Sequence, residues 1–275
     1  MTASFRLVAI DVDGTLLDSE YQLASSAEAA VETARRAELM VSLVSGRPRC
    51  GILEYLEHLD LNAPDITSGG AFIYDPQRSR VILDDRIPRE TAHQIILKAR
   101  QAGVAIFSEA PYEIQFEAAS DILERTPTVG KDFMVRSQDL LKEPDLQPNK
   151  ITMIGDPEIL KQLDEELREL DQPIHLTSSG ARFLEANRQG VNKGHALIKL
   201  ADYLDIQPSS ILAIGDNHND VSMFKVAGFS VAMGNAPQEV QAKVDLIAPT
   251  NDDHGLLWTL ERLAKNSFPF DKWTP

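Results

Sequence analysis

Short apolar runs that stop at an acidic or small polar residue recur along the chain, separated by stretches of helical period. Leu7-Val8-Ala9-Ile10 ends at Asp11, residues 40–44 end at Ser45-Gly46-Arg47, and Ile211-Leu212-Ala213-Ile214 runs into Gly215-Asp216. Runs that are apolar at every position predict strands covered on both faces, as in a parallel sheet. Helices are predicted over 26–38, with Ser25 or Ser26 as cap, and over 52–59, 193–204, 219–226, 236–243 and 252–264. Further strands are predicted at 229–232 and 244–248. Strand and helix alternating in this way read as an α/β fold, a Rossmann-like three-layer core with a parallel sheet between helices.

The middle of the chain has a different pattern. A hairpin is predicted from 71–74 and 81–83 around Asp75-Pro76. Helices at 90–102 and 157–170 are then mixed with short strands at 104–107, 114–117, 151–154, 174–177 and 182–185. Pro127, Pro144 and Pro148 punctuate the less regular part. This predicts an α+β unit over 88–187, inserted into a core made from 1–87 and 188–275. The tail, 268–275, shows no period.

Composition narrows the function. With 43% hydrophobic and 25% charged residues, the chain can bury an ordinary core. Its 27 Lys and Arg against 42 Asp and Glu give a net charge of −15, which disfavours nucleic acid and anionic membrane surfaces as partners. The same charge would repel a phosphorylated substrate unless a cation and a local basic group offset it. Cys50 is the single cysteine, so no disulfide forms within the chain and a reducing compartment is the natural setting. No apolar run approaches membrane-spanning length, and 7–10 is short for a signal peptide. The cytoplasm is the expected location. Nothing in the chain specifies an oligomeric state.

Four strings carry candidate chemistry, each directly after a predicted strand or opening a helix. In an open parallel sheet such positions converge on the crevice beyond the carboxyl ends of the strands. In Asp11-Val12-Asp13-Gly14-Thr15 one carboxylate can attack phosphorus while the other protonates the leaving oxygen, and Gly14 permits a sharp turn. Ser45-Gly46-Arg47 offers a hydroxyl and a backbone N–H to a phosphoryl oxygen, although Ser-Gly is also a common turn. Lys193, in Gly190-Val191-Asn192-Lys193-Gly194, can reach a phosphate or neutralise crowded carboxylates; a lone lysine at a helix start is more often a solvated charge. In Gly215-Asp216-Asn217-His218-Asn219-Asp220, Asp216 can hold Mg²⁺, a hard cation that prefers oxygen. Asn219 and Asp220 also suit a helix cap. His218 is read as an exposed loop residue and is not assigned to the metal. Asp11, Asp13, Asp216 and Asp220 brought together would repel one another, so Lys193 and a divalent ion are the least compensation required.

These four strings, in this order, resemble the haloacid-dehalogenase-like superfamily, and more narrowly its Cof-type phosphatases, whose C2B cap lies between the second and third motifs. The resemblance spans nearly the whole chain and includes Ser68-Gly69-Gly70-Ala71, Phe183-Leu184-Glu185, Ala232-Met233-Gly234-Asn235-Ala236 and Asn251-Asp252-Asp253-His254-Gly255. It implies that Asp11 is the nucleophile, forming an aspartyl-phosphate, and Asp13 the general acid/base. It implies Mg²⁺ held by Asp11, the Asp13 carbonyl and Asp216, with Asp220 in the outer shell. Ser45, the Gly46 amide, Lys193 and Asn219 would hold phosphoryl oxygens. The implied substrate is a small phosphorylated metabolite, above all a sugar phosphate, with pyridoxal phosphate and flavin mononucleotide as further options. Three positions depart from the family pattern: Ser45 stands where threonine is frequent, Gly69 where asparagine is frequent, and Asn187-Arg188 in a stretch that is often apolar-Pro.

Two other functions compete. A phosphomutase, or a phosphatase of sugar-glycoside phosphates, would use the same residues. A signalling receiver, phosphorylated on aspartate without turnover, needs neither a second carboxylate at Asp13 nor a long insert, so both features favour an enzyme. Tyr112, Glu113, Gln115, Arg125, Lys131, Arg136 and Arg182 are the polar candidates in the insert for substrate selection.

Overall fold

A computed structural model describes residues 5–117, 133–172 and 174–265. Arg125, Pro127, Lys131 and the tail at 268–275 lie outside the described residues. In chain order the first strands are β1 (Leu7–Ile10), β2 (Met40–Leu43), β3 (Asp65–Thr67), β4 (Phe72–Asp75) and β5 (Arg80–Asp84). Then come β6 (Ala105–Ala110), β7 (Glu113–Glu117), β8 (Met134–Arg136), β9 (Lys150–Ile154), β10 (Ile174–Gly180) and β11 (Phe183–Arg188). The last are β12 (Ile211–Gly215), β13 (Phe229–Ala232) and β14 (Leu246–Ile247).

The core sheet runs β14-β13-β12-β1-β2, parallel throughout. Alternate residues of β1 serve opposite faces, as a pleated strand requires. Val8 and Ile10 pack with the helices Ala27–Arg36 and Gly255–Ala264, whereas Leu7 and Ala9 pack with Lys193–Leu204. All four are fully buried, which is why the run reads as continuously apolar. Fully burying side chains of this size stabilises by roughly 1.5–3 kcal/mol each. The result is the α/β three-layer core expected from the sequence.

Strands β3, β4 and β5 form an antiparallel sheet, joined to the core by a bridge between Val44 and Ile66. The α+β unit has a sheet of its own, ordered β10-β11-β9-β6-β7-β8. One face carries the helices Arg89–Ala102 and Pro157–Arg168 on Ile106, Ile151, Met153 and Leu184. Its other face turns toward the carboxyl edge of the core strands. Among the described residues no helix is long and apolar enough to cross a membrane.

Several predicted elements change on folding. Ser26 precedes the helix Ala27–Arg36 but makes no side-chain capping bond. The helix expected over 219–226 is a 3₁₀ turn, His218–Asp220, followed by Val221–Phe224, because the turn residues bond to one another. That expected over 236–243 shortens to Gln238–Gln241. Strands β3 and β8, only three residues each, were not predicted. Asn187-Arg188, where the family stretch is often apolar-Pro, closes β11. There Asn187 is buried, donating from Nδ2 to the carbonyls of Ser68 (3.0 Å) and Asn149 (2.9 Å).

Candidate active site

Asp11, Ser45 and Asp216 each follow one of three adjacent strands, β1, β2 and β12. From β1 the chain continues to β2 on one side, while β12 to β14 lie on the other, so Asp11 sits where the connections diverge. That is where an open parallel sheet leaves a crevice. Backbone bonds carry the ladder into the loops: Asp11 N–H donates to Ile214 O (2.9 Å), Val44 N–H to Ile10 O (2.8 Å), and Ser45 N–H to Ile66 O (2.8 Å). Gly14 then turns the chain at φ +75°, with Asp216 so close that a Cβ there would lie 2.4 Å from its Oδ2. Only glycine fits.

The floor of the crevice is a buried charge cluster. Lys193 is 1% exposed, and its Nζ lies 2.5 Å from Asp11 Oδ1 and 2.5 Å from Asp220 Oδ1. The other Asp220 oxygen accepts the N–H groups of Asp216 (3.0 Å) and Asn217 (2.9 Å), so this carboxylate is committed on both sides. Asp216 Oδ2 accepts from Asn235 Nδ2 (3.3 Å), which also donates to Gly14 O (2.9 Å). Asp216 Oδ1 is buried without a hydrogen bond. One oxygen each from Asp11, Asp216 and Asp220 lies within 4.8 Å of the others.

Such crowding raises the cost of ionisation. Burial first, then the Asp220 charge, lifts the Asp11 carboxyl well above the usual range. The same two causes push Asp216 up to about 7. Burial works against charge on Lys193, but Asp11 and Asp220 outweigh it and hold the ammonium charged. Three carboxylates against one ammonium leave the cluster short of positive charge. An all-oxygen donor set with an orphaned carboxylate oxygen fits a hard divalent cation.

Asp13 stands at the rim, its side chain 40% exposed. Arg47 grips it: Nε lies 3.1 and 2.9 Å from the two oxygens, and Nη2 adds a bond to Oδ1. Ser45 is fully buried behind Gly46, its Oγ accepting Arg47 N–H (3.0 Å). Gly46 and Asn219 line the crevice, and Asn219 Oδ1 is buried without a partner. His218 is exposed, with Nε2 3.9 Å from Glu239. Arg188 pairs with Asp85 at 3.3 Å.

Between this edge and the sheet of the α+β unit lies a cleft of about 280 Å³. Asp11, Asp13, Arg47 and Asp216 line one wall, and Phe107, Glu109, Lys150, Thr152, Phe183 and Glu185 line the other. None of the described polar candidates from the insert (Tyr112, Glu113, Gln115, Arg136 and Arg182) lines this cleft. Tyr112 packs against Phe72, ring centroids 6.3 Å apart, while Glu113 and Gln115 border a separate cavity with Arg86. Arg47, Asn235 and Glu185 stand in the quoted motifs without a role, and Glu109 and Lys150 are singled out by the structure alone. A usable signal was present in their spacing of two from Phe107, Thr152 and Phe183, which puts polar and aromatic residues on one sheet face.

The fold and the acidic site together define a hydrolase of phosphate monoesters. The chain belongs to the haloacid dehalogenase-like hydrolases, whose sequence pattern matches residues 8–260. It is 29% identical to the 5-amino-6-(5-phospho-D-ribitylamino)uracil phosphatase YwtE of Bacillus subtilis, over 96% of this chain and 99% of that one. Identity is 30% with YcsE of the same organism, which bears the same name, over 91% and 92% of the two chains. Among solved structures, a haloacid dehalogenase-like hydrolase from Bacteroides thetaiotaomicron superposes with a TM-score of 0.87 at 28% identity, over 94% of this chain and 99% of that one.

Proposed function

We propose that the protein is a Mg²⁺-dependent phosphatase of a small phosphorylated metabolite, with Asp11 as the nucleophile. The observation that carries this reading is the pair of hydrogen bonds that Lys193 Nζ donates to Asp11 and Asp220 at the foot of the cleft. It holds the desolvated Asp11 carboxyl at the foot of the cleft, and the ammonium partly offsets the burial and the Asp220 charge that disfavour its ionised form. In this reading Asp11 forms a bond to phosphorus as the ester P–O bond breaks, and Asp13 gives its proton to the leaving oxygen. Water then attacks the aspartyl-phosphate, Asp13 takes the water proton, and Asp11 and phosphate are released.

Asp11, Asp216 and the Asp13 carbonyl would hold Mg²⁺, with Asp220 supporting from the outer shell. When bound, the ion supplies positive charge to the phosphoryl oxygens. Ser45, the Gly46 N–H, Lys193 and Asn219 complete the cradle in the same reading. Arg47 occupies both Asp13 oxygens, so Asp13 reaches the leaving oxygen only when Arg47 releases it.

Residues 88–187 act as a cap over a core of 1–87 and 188–275. The two Bacillus relatives are named for a substrate whose phosphate sits on a ribityl arm. We extend to this chain a phosphorylated sugar or sugar-alcohol arm at the core end of the cleft. The test is phosphate release from a metabolite panel with and without Mg²⁺, alongside Asp11→Asn. Release that persists without the ion or the Asp11 carboxylate contradicts the reading.

A further inference from the structure

Three successive backbone carbonyls in the Ser45-Gly46-Arg47 turn are each held by a partner from elsewhere in the chain. Ser45 O accepts Gly69 N–H (3.0 Å) and Arg47 O accepts Ser68 N–H (2.8 Å), both from the turn that follows β3. Between them, Gly46 O accepts Lys150 Nζ at 2.8 Å, from the first residue of β9 in the cap. A second bond joins the same segment to the cap, with Cys50 N–H donating to Pro111 O at 2.7 Å. The turn is therefore fixed by the core at its two ends and by the cap at its middle.

Lys150 has no donor to spare for a substrate. It is 4% exposed, and its three N–H bonds face three oxygens: Gly46 O, Glu185 Oε1 (3.2 Å) and Glu109 Oε2 (3.3 Å). Burial works against its charge, but the two carboxylates outweigh burial and keep the ammonium charged. Its bond to Gly46 is thus charge-assisted, of the shorter and stronger kind. What that bond fixes follows from the planar peptide, which ties the Gly46 carbonyl rigidly to the Arg47 N–H. Arg47 N–H donates to Ser45 Oγ at 3.0 Å, so the hydroxyl is met as an acceptor and keeps its proton to give to a phosphoryl oxygen.

We propose that Lys150 is a positioning residue for phosphoryl transfer: its ammonium, supplied by the cap, sets the Gly46–Arg47 peptide and through it the Ser45 hydroxyl. This rests on the phosphatase reading, in which Ser45 and the Gly46 N–H hold phosphoryl oxygens. The cap then builds part of the phosphoryl site itself, apart from any contact it makes with the leaving group. Because Lys150 acts at the phosphoryl end, its effect is the same for every substrate, including one too small to reach the cap wall.

The test measures kcat/KM for acetyl phosphate and para-nitrophenyl phosphate in a double-mutant cycle of Lys150→Met and Ser45→Ala. Lys150→Met is expected to lower both values by one common factor, roughly ten- to a hundredfold. Ser45→Ala is expected to cost about tenfold or more in the wild type but less than about threefold beside Lys150→Met, because the hydroxyl it removes is already misplaced. Lys150→Met strands Glu109 and Glu185, so its folding is checked by circular dichroism. Should it not fold, Glu109→Gln/Glu185→Gln is compared with and without Lys150→Met, a pair that strands no carboxylate, and the same fall is expected between them. An unchanged kcat/KM in the folded variant, a fall for para-nitrophenyl phosphate alone, or costs that multiply with Ser45→Ala overturns the inference and spares the phosphatase reading. Silence of the wild type toward both compounds overturns both.

Discussion

Lys193 and Asp11 meet as a buried ion pair, Nζ to Oδ1 at 2.5 Å, across 182 positions of sequence. Asp220 holds the other side of the same ammonium. Removing the lysine therefore strands two buried carboxylates. Lys193→Met should lower unfolding free energy by about 3–5 kcal/mol and abolish turnover. Asp11→Asn should abolish turnover with no such loss, because burial and Asp220 already disfavour the ionised carboxyl. Denaturant unfolding of the two variants side by side checks the contrast.

Gly14→Ala is expected to damage the site more than the fold. Its positive φ costs a side chain about 1–2 kcal/mol, and the new Cβ would displace the Asp216 carboxylate. A loss of turnover far larger than that stability change, with weaker protection by Mg²⁺ in thermal melts, is the predicted result.

Arg47→Lys keeps the charge but loses the forked grip on Asp13. A fall in kcat/KM of roughly ten- to a hundredfold is expected, the scale on which misplacing a reacting group acts. Steady-state kinetics with para-nitrophenyl phosphate measures it.

Legibility in the sequence followed how locally each residue's partners lie. The runs at 7–10 and 211–214 could be read as buried strands because both faces of the central strands are covered. Asp11, Asp13, Asp216 and Asp220 were visible because each belongs to a short string tied to a strand end. The buried role of Asn187 was not legible because its partners, Ser68 and Asn149, are remote in sequence. Glu109, Lys150 and Glu185 looked like the polar half of ordinary alternating strands. Only the cross-strand register shows that this face closes over the cleft.

Away from the cleft, Asp65 predicts a pH signature. It is 1% exposed and paired with Arg49 at 3.1 Å, yet burial outweighs the pairing and pushes its carboxyl up to about 6. The folded state thus keeps a proton that the unfolded chain releases near pH 4. Asp65's contribution to stability is full below about pH 4, falls as pH rises through about 6, and is level above. The whole change is on the order of 3 kcal/mol. Asp65→Asn should remove this downward component, read as the difference between the two proteins' unfolding free energies from pH 4 to 7.

Trapping the covalent intermediate goes most directly to the claim that Asp11 attacks phosphorus. The enzyme is mixed with substrate and Mg²⁺, quenched in acid during turnover, reduced with borohydride, and mapped by peptide mass spectrometry. A phosphorylated aspartate becomes homoserine, which is expected at position 11 alone and absent without substrate. Phosphate release with no conversion at position 11, or conversion at Asp13 or Asp216 instead, would contradict it.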